Sequence, residues 1–399
     1  MRSPFSLQSK ISDAAKVFCS YALRLVLKCF WILPVKQNKI LFVSFGGRQF
    51  SDNPKYIYKE LQKQCYGKLE YVWCASRLFP FEKIENRSDT RIVKYLSFRY
   101  FREVCTCGIY ITNCTVEPFL PKRKKQLFLC SWHGGGAYKK VGTNQGYAWQ
   151  KMSRTRAANT DLYTSACRAF KNFVAPSWYA DPVRFLECGM PRNDLLIKER
   201  YNSALIADIK RNLGIPTDRK IILYAPTFRG SAHAPEQFAM AIDVEKTIES
   251  AEARFGGTFC FAFRCHHTMI GKTAPLGAVH DMSNCPDMQE LLLAADVLIS
   301  DYSSSIWDFS LMLKPCFLFT PDLEEYESAR DFYVPIHEWP FSYALTNREL
   351  EEQILDFDES AYRVRCLSHH RDLGSFERGN ACEVVCNKII EFTRGQGVQ

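Results

Sequence analysis

The chain has 399 residues, 47% hydrophobic and 24% charged, which is too long for one small core and too apolar for disorder. Its 17 cysteines are odd in number and scattered. The nearest groupings, Cys105 with Cys107 and Cys382 with Cys386, lack a matching ligand pair, so a secreted disulfide scaffold and a zinc module are excluded and a reducing cytosol fits. The net charge of +9 is uneven, with 34 Lys and Arg against 14 Asp and Glu in residues 1–200 and 18 against 29 in the rest; the first half is expected to face something anionic, such as a membrane surface, a polyphosphate or a nucleic acid.

Residues 13–35 read as a helix. A transmembrane span needs about 20 mostly apolar residues, and here Lys16, Arg24 and Lys28 interrupt the run. With Ser20 they recur every four residues, a narrow polar stripe beside the apolar Val17, Phe18, Tyr21, Leu25, Phe30 and Ile32. That pattern predicts a helix lying in a membrane interface, with a helix packed on the domain core as the other reading. No small-residue cleavage site follows, so a signal peptide is not expected.

From residue 39, short apolar runs alternate with amphipathic stretches. Strands are predicted at 39–45, 71–76, 91–96, 108–113, 126–132 and 161–167, with a helical pattern at 54–64 between the first two. A charged helical stretch at 201–214 precedes a second series of strands at 220–227, 258–264, 296–301 and 315–320, and residues 375–394 read as a closing helix. Buried strands alternating with helices indicate βαβ units and parallel sheets. The fold class expected is α/β, two Rossmann-like domains with an interdomain cleft. The boundaries are a membrane-associating segment at 1–36, an acceptor-side domain at 37–198 and a nucleotide-donor domain at 199–399 that keeps the closing helix.

In open α/β sheets, ligands bind at the carboxyl ends of the strands, and the unusual residues cluster there. One strand runs into SWHGGGAYKKVG (131–142). Gly134, Gly135 and Gly136 would let the backbone approach a phosphate, and His133 before them suits acid–base work near neutral pH. The strand IILYAPT ends in Thr227, Phe228 and Arg229, and TFCFAFR ends in Arg264, Cys265, His266 and His267. DVLISD leads into Ser303, Ser304 and Asp308, where hydroxyls entering a helix favour an anion. Adjacent histidines point to opposite sides of a strand, so no dedicated metal site is expected.

These segments together, with GMPRND (189–194), YAPTFR, the Arg-x-His strand end, DMQELLLAADVLISDYSSSIWDFSLMLKPCFLF and KILFVSFGGRQFSDNPKYIYKEL, resemble the CDP-glycerol glycerophosphotransferase family, enzymes that prime and polymerise wall teichoic acids and related polymers. The resemblance runs in order over about residues 39–390. It departs at His-Gly-Gly-Gly, where the family commonly has His-Gly-Thr-Pro, and at His267, where the family commonly has Pro.

The resemblance implies a GT-B-like fold, monotopic membrane association at the cytoplasmic face, and transfer of glycerol phosphate from CDP-glycerol, or another CDP-alcohol, to a lipid-linked or polymeric acceptor hydroxyl with release of CMP. It implies His133 and His266 as catalytic groups, His133 as general base. Trp132, Gly134, Gly135, Gly136, Arg192, Thr227, Phe228, Arg229, Arg264, Cys265, Ser303, Ser304 and Asp308 are then expected to bind the donor and its phosphates. No resident cofactor is implied, and Mg2+ would come only with the donor diphosphate. The product is a teichoic-acid-like or capsular polymer. The absence of a long extra domain argues against a bifunctional enzyme. A nucleotide-sugar glycosyltransferase and an inactive nucleotide-binding membrane protein are the alternatives, although the serine-rich loop suits phosphates better than sugar hydroxyls. Charge alone suggests nucleic acid, but no recognition motif accompanies it.

Overall fold

The computed structural model describes residues 7–65, 67–76, 90–136, 138–141, 147–227, 229–231, 234–236, 241–265, 279–329 and 332–395. The chain divides into two units. The first comprises Met1–His133, Val141–Arg192 and Phe376–Gln399, and the second Gly134–Lys140 and Asn193–Ser375.

The first unit is built on seven strands: β1 (Lys36–Val43), β2 (Glu70–Ala75), β3 (Thr90–Lys94), β4 (Cys107–Thr112), β5 (Leu127–Cys130), β6 (Leu162–Thr164) and β7 (Phe185–Leu186). They lie in the order β3-β2-β1-β4-β5-β6-β7, every pair parallel. Such a sheet must be covered on both faces, so its central strands read as unbroken apolar runs. All six residues of β4 are buried. β4 also approaches β1 so closely, at the register shift between Lys36 and Ile40, that a Cβ on Gly108 would lie 2.5 Å from the Gln37 carbonyl oxygen. Five α-helices belong to this stretch: α1 (Leu7–Leu27), α2 (Asp52–Gln64), α3 (Phe98–Thr106), α4 (Tyr147–Asn159) and α5 (Arg168–Trp178).

α1 starts and ends earlier than the sequence suggests, and its polar stripe does not face outward throughout. Val17 and Leu27 are buried, and Tyr21 hydrogen-bonds Thr155 of α4. The Arg24 guanidinium donates to the carbonyls of Pro118 and Leu120 and to Asn159 Oδ1. Burial lowers its pKa. Lys16 and Lys28 stay exposed, and with them the apolar Phe18, Leu25, Val26 and, in the 3-10 turn that follows, Ile32. No described helix is long and apolar enough to cross a membrane.

The second unit opens with α6 (Asn193–Glu199) and α7 (Ser203–Asn212) and continues through β8 (Lys220–Tyr224), the hairpin β9 (Arg229–Ser231) and β10 (Ala234–Glu236), α8 (Val244–Phe255), β11 (Phe259–Phe263) and β12 (Val279–Asp281). Then come α9 (Met288–Ala294), β13 (Val297–Ser300), α10 (Ser305–Ser310), β14 (Cys316–Phe319), α11 (Leu323–Ala329), β15 (Ser342–Ala344), α12 (Asn347–Leu355) and α13 (Glu359–Asp372). The six-stranded sheet has the order β12-β11-β8-β13-β14-β15, again all parallel.

The chain passes into the second unit at Arg192/Asn193, not after residue 198. The closing helix, α14 (Ala381–Thr393), belongs to the first unit and not to the second. The reason is its apolar face. Val385, Cys386 and Ile389 are buried in one cluster with Ile57 and Leu61 of α2, and the Cys386 thiol donates to the Ile57 carbonyl.

In the second unit α13 carries two inward histidines. His369 Nε2 meets the Tyr138 hydroxyl at 3.1 Å, and His370 Nε2 meets Ser310 Oγ at 2.8 Å. Burial lowers the pKa of His369 to about 4 and that of His370 to about 3, so both fold neutral. Between the ordinary value of 6.5 and those lowered values, only the unfolded chain gains the protons. Stability should therefore be level above about pH 6.5 and fall below it by about 1.4 kcal/mol per pH unit for each histidine. Urea melts followed by Trp fluorescence between pH 7 and 4.5 measure this slope, and it should shrink in His370→Phe.

Candidate functional site

In the first unit the segments after β1 and β5 carry three residues in left-handed backbone. Phe45, Asp52 and Trp132 adopt φ of +46°, +61° and +49°, a region non-glycine residues enter only when surrounding contacts hold them there. His133 follows β5. Its Nδ1 lies 2.7 Å from the Asn113 carbonyl. A carbonyl only accepts, so the proton sits on Nδ1 and Nε2 carries the lone pair. The imidazole packs between the rings of Trp132 and Phe45, at centroid distances of 4.2 and 5.5 Å. Trp132 also abuts Trp178 edge-on.

Beneath the histidine is a polar network of side chains that sequence reasoning missed. Asn113, fully buried, accepts from the Phe45 N–H at 2.8 Å and donates to Asp52 Oδ2 at 3.1 Å. Asn53, also fully buried, donates to the carbonyls of Ser131 and Trp132 at 3.0 and 2.8 Å. Arg192 corrects an expectation: it is 3% exposed, and its Nη1 donates to Asp52 Oδ1 at 3.0 Å. It braces this network. The available signal was a polar residue directly after a buried strand, read for the serine loop but not for Asn113 or Asp52.

In the second unit, two of the glycines after His133 lie in close packing. Gly135 and Gly136 are buried. A Cβ on Gly135 would lie 2.5 Å from Trp307 Cδ1 and 2.9 Å from Asp308 Oδ1, and one on Gly136 2.8 Å from Tyr138 Cε2. Gly134 is half-buried. Asp308 is also corrected. It is buried, accepting from Asn193 Nδ2 and Gln289 Nε2 at 3.0 Å each; a buried carboxylate here ties α6, α9 and α10 together and would repel a phosphate.

Asp301 has the same role at the end of β13. Its carboxylate accepts from the Thr227 N–H at 2.9 and 3.0 Å and from the Thr227 hydroxyl, so Thr227 is clamped there. Cys265 is buried and its N–H donates to Ser283 Oγ. Arg264 is half-buried after β11, with Nη1 against the Met288 sulfur at 3.2 Å. Burial lowers its pKa, opposed by Cys285 and Asp287. Among the described residues it forms no ion pair. Ser303 and Ser304 are half-buried. Ser303 Oγ accepts from the Ser305 N–H and hydroxyl, whereas Ser304 makes no capping bond to α10. Phe228 and His266 lie outside the described residues, as does the side chain of Arg229. Among the described residues no cluster of His, Cys, Asp and Glu could hold a metal ion.

Gly135→Ala should destabilise the protein by about 1–3 kcal/mol, because neither the Trp307 ring nor Asp308 has room to withdraw. A urea melt measures the loss, and Gly134→Ala should cost less.

Comparison with known proteins places these features. Residues 25–391 match the family described as CDP-glycerol:poly(glycerophosphate) glycerophosphotransferase. A teichoic acid poly(glycerol phosphate) polymerase of Staphylococcus epidermidis is 28% identical over 386 residues, covering 91% of this chain but 52% of the polymerase. The chain thus spans about half the length of that relative. A teichoic acid glycerol-phosphate transferase of Staphylococcus aureus is 27% identical over 397 residues, covering 96% of this chain and 100% of its own. The solved structure of the wall teichoic acid polymerase TagF superposes with a TM-score of 0.81 at 24% identity, covering 98% of this chain and 100% of that one, a likeness that concerns the fold, α/β with two parallel sheets. The match over residues 25–391 places the chain in the CDP-glycerol:poly(glycerophosphate) glycerophosphotransferase family.

Proposed function

We propose that this chain transfers glycerol phosphate from CDP-glycerol to an acceptor hydroxyl and releases CMP, extending or priming a teichoic-acid-like glycerol-phosphate polymer. The observation that carries the reading is His133. Its Nδ1 proton is tied to the Asn113 carbonyl, so Nε2 is the basic nitrogen, in a chain of this family. In the step proposed, the acceptor oxygen bonds to the β-phosphorus of the donor as the bond from that phosphorus to the CMP oxygen breaks. The acceptor proton passes to His133 Nε2, and CMP leaves with the bonding electrons. The Arg264 guanidinium and the hydroxyls of Ser303 and Ser304 offset charge on the diphosphate, and His266 is assigned the same task from its Arg-x-His strand end. No resident cofactor is part of this reading; Mg2+ would arrive on the donor, and CMP release titrated with Mg2+ and EDTA measures its role.

Purified protein should release CMP from CDP-glycerol in the presence of a glycerol-phosphate acceptor. His133→Ala should lower kcat by about 10²–10⁴-fold, the usual effect of losing a general base. Turnover of a nucleotide sugar, with none of CDP-glycerol or CDP-ribitol, would refute the assignment.

The acceptor side of the reading is a membrane one: a peripheral enzyme at the cytoplasmic face, resting on lipid. The exposed apolar face of α1 supports it, extended by Phe98, whose ring abuts Phe30 at 5.0 Å, and by Leu96, exposed in a left-handed turn. Lys28, Lys94 and Arg99 flank these residues and are exposed. Because Arg24 is turned inward, burial of apolar area should outweigh charge, and vesicle binding should depend weakly on salt. Leu25→Ser with Ile32→Ser and Phe98→Ser should reduce cosedimentation with phosphatidylglycerol-containing vesicles and preserve CMP release with a short soluble acceptor. Unchanged cosedimentation would exclude this surface.

A further inference from the structure

We propose that Asp52 and Asn113 are positioning residues for His133, fixing its imidazole in the Nδ1–H tautomer with Nε2 as the basic nitrogen; the proposal rests on His133 being the general base.

The hydrogen bond to the imidazole comes from a backbone carbonyl, that of Asn113. A carbonyl at the end of a strand is directed only as well as its own peptide is held. Here the residue that supplies it is held by its side chain from both sides. Asn113 Oδ1 takes the Phe45 N–H, and Nδ2 is given to Asp52 Oδ2. The amide has one orientation that satisfies both, because Phe45 N–H can only donate and the Asp52 carboxylate can only accept. Asp52 is fixed in turn by Arg192 on its other oxygen.

The same network holds the histidine's own backbone. The Arg192 N–H donates to Asn53 Oδ1 at 3.0 Å, and Asn53 Nδ2 grips the carbonyls of Ser131 and Trp132, the two residues preceding His133. Both ends of the Nδ1–H···O bond are therefore set by one connected set of buried groups, drawn from the ends of β1, β4, β5 and β7. Asp52 and Trp132 both hold left-handed backbone within it, a conformation that surrounding contacts must hold in place. A plain structural ion pair would not need to direct its secondary bonds at the two peptides before His133 and at the peptide His133 bonds. Asp52 carries its charge against Arg192, so its effect on the imidazole is one of orientation through Asn113, not of direct charge.

The test is a measurement of the tautomer alongside kinetics. In protein labelled with 15N-histidine, the His133 ring signals are assigned by their loss in His133→Ala. The wild type should show the proton on Nδ1. Asn113→Ser keeps the strand end polar and small but cannot bridge Phe45 and Asp52; it should convert His133 to a mixture of tautomers and lower kcat for CMP release about 100-fold, the scale of a misplacement near 1 Å, with KM for CDP-glycerol within about twofold. Should Asn113→Ser fail to fold, the pair Asp52→Asn with Arg192→Met removes the carboxylate without stranding a buried cation and is expected to give the same two changes. A folded variant that keeps the Nδ1–H tautomer and wild-type kcat overturns the proposal. If the variants lose the tautomer while even the wild type releases no CMP, the positioning role stands and the reaction assigned above falls.

Discussion

A parallel sheet leaves a particular debt at its carboxyl edge. Within the ladder the backbone groups satisfy one another, but each strand then ends in a loop whose N–H groups have no ladder to join. In both units buried carboxylates stand at that edge. Asp301 takes the Thr227 and Tyr302 N–H groups after β8 and β13, whereas Asp52 takes the side chains of Asn113 and Arg192, and Asp308 those of Asn193 and Gln289. Each is almost inaccessible to water, and each takes at least one hydrogen bond from a group far away in sequence. A buried carboxylate without such donors would be strongly unfavourable, so the loops and the carboxylates hold one another in place. Of the residues assigned to chemistry, His133 and the serines stand beside loops tied in this way.

The glycines after His133 show how such packing resembles function when only the sequence is read. Three in a row suggest a phosphate cradle. Two of them are buried where Trp307, Asp308 and Tyr138 leave no space for a side chain. An indole ring alone is enough to require glycine there. Arg192 carries the same lesson: a conspicuous basic residue in a motif is matched by Asp52, 140 positions away, and no local pattern announces that pairing.

What was legible follows from the same physics. The long central strands are apolar on both faces, so β1, β2, β4, β8, β11 and β13 were each foreseen within a few residues. β7, β12 and β15 have two or three residues apiece and were not, since so short an edge strand leaves no periodic signal. Spacing sets Lys16, Ser20, Arg24 and Lys28 four residues apart along α1 and the turn after it, but cannot say whether an arginine meets water or a set of carbonyls; Arg24 meets carbonyls. The strand-end positions of His133, Arg264, Ser303 and Ser304 were legible from the loops themselves. The network of Asp52, Asn53 and Asn113 was not, because each of its residues is ordinary alone and only the fold joins them.

The return of α14 to the first unit bears on how the chain is made. Ile57 and Leu61 emerge from the ribosome early, yet Val385, Cys386 and Ile389, which complete their cluster, are translated more than 300 residues later. At about 5–20 residues per second, that is an interval of some tens of seconds. The second unit, nearly all of it a continuous run from Asn193 to Ser375, is finished sooner. The order of synthesis therefore inverts the order of completion: the amino-terminal body waits with an uncovered apolar face while the later one closes. A nascent chain of this architecture is a natural client for chaperones that shield apolar surface, and a ribosome stalled before residue 381 would release a protein whose first core is unsealed.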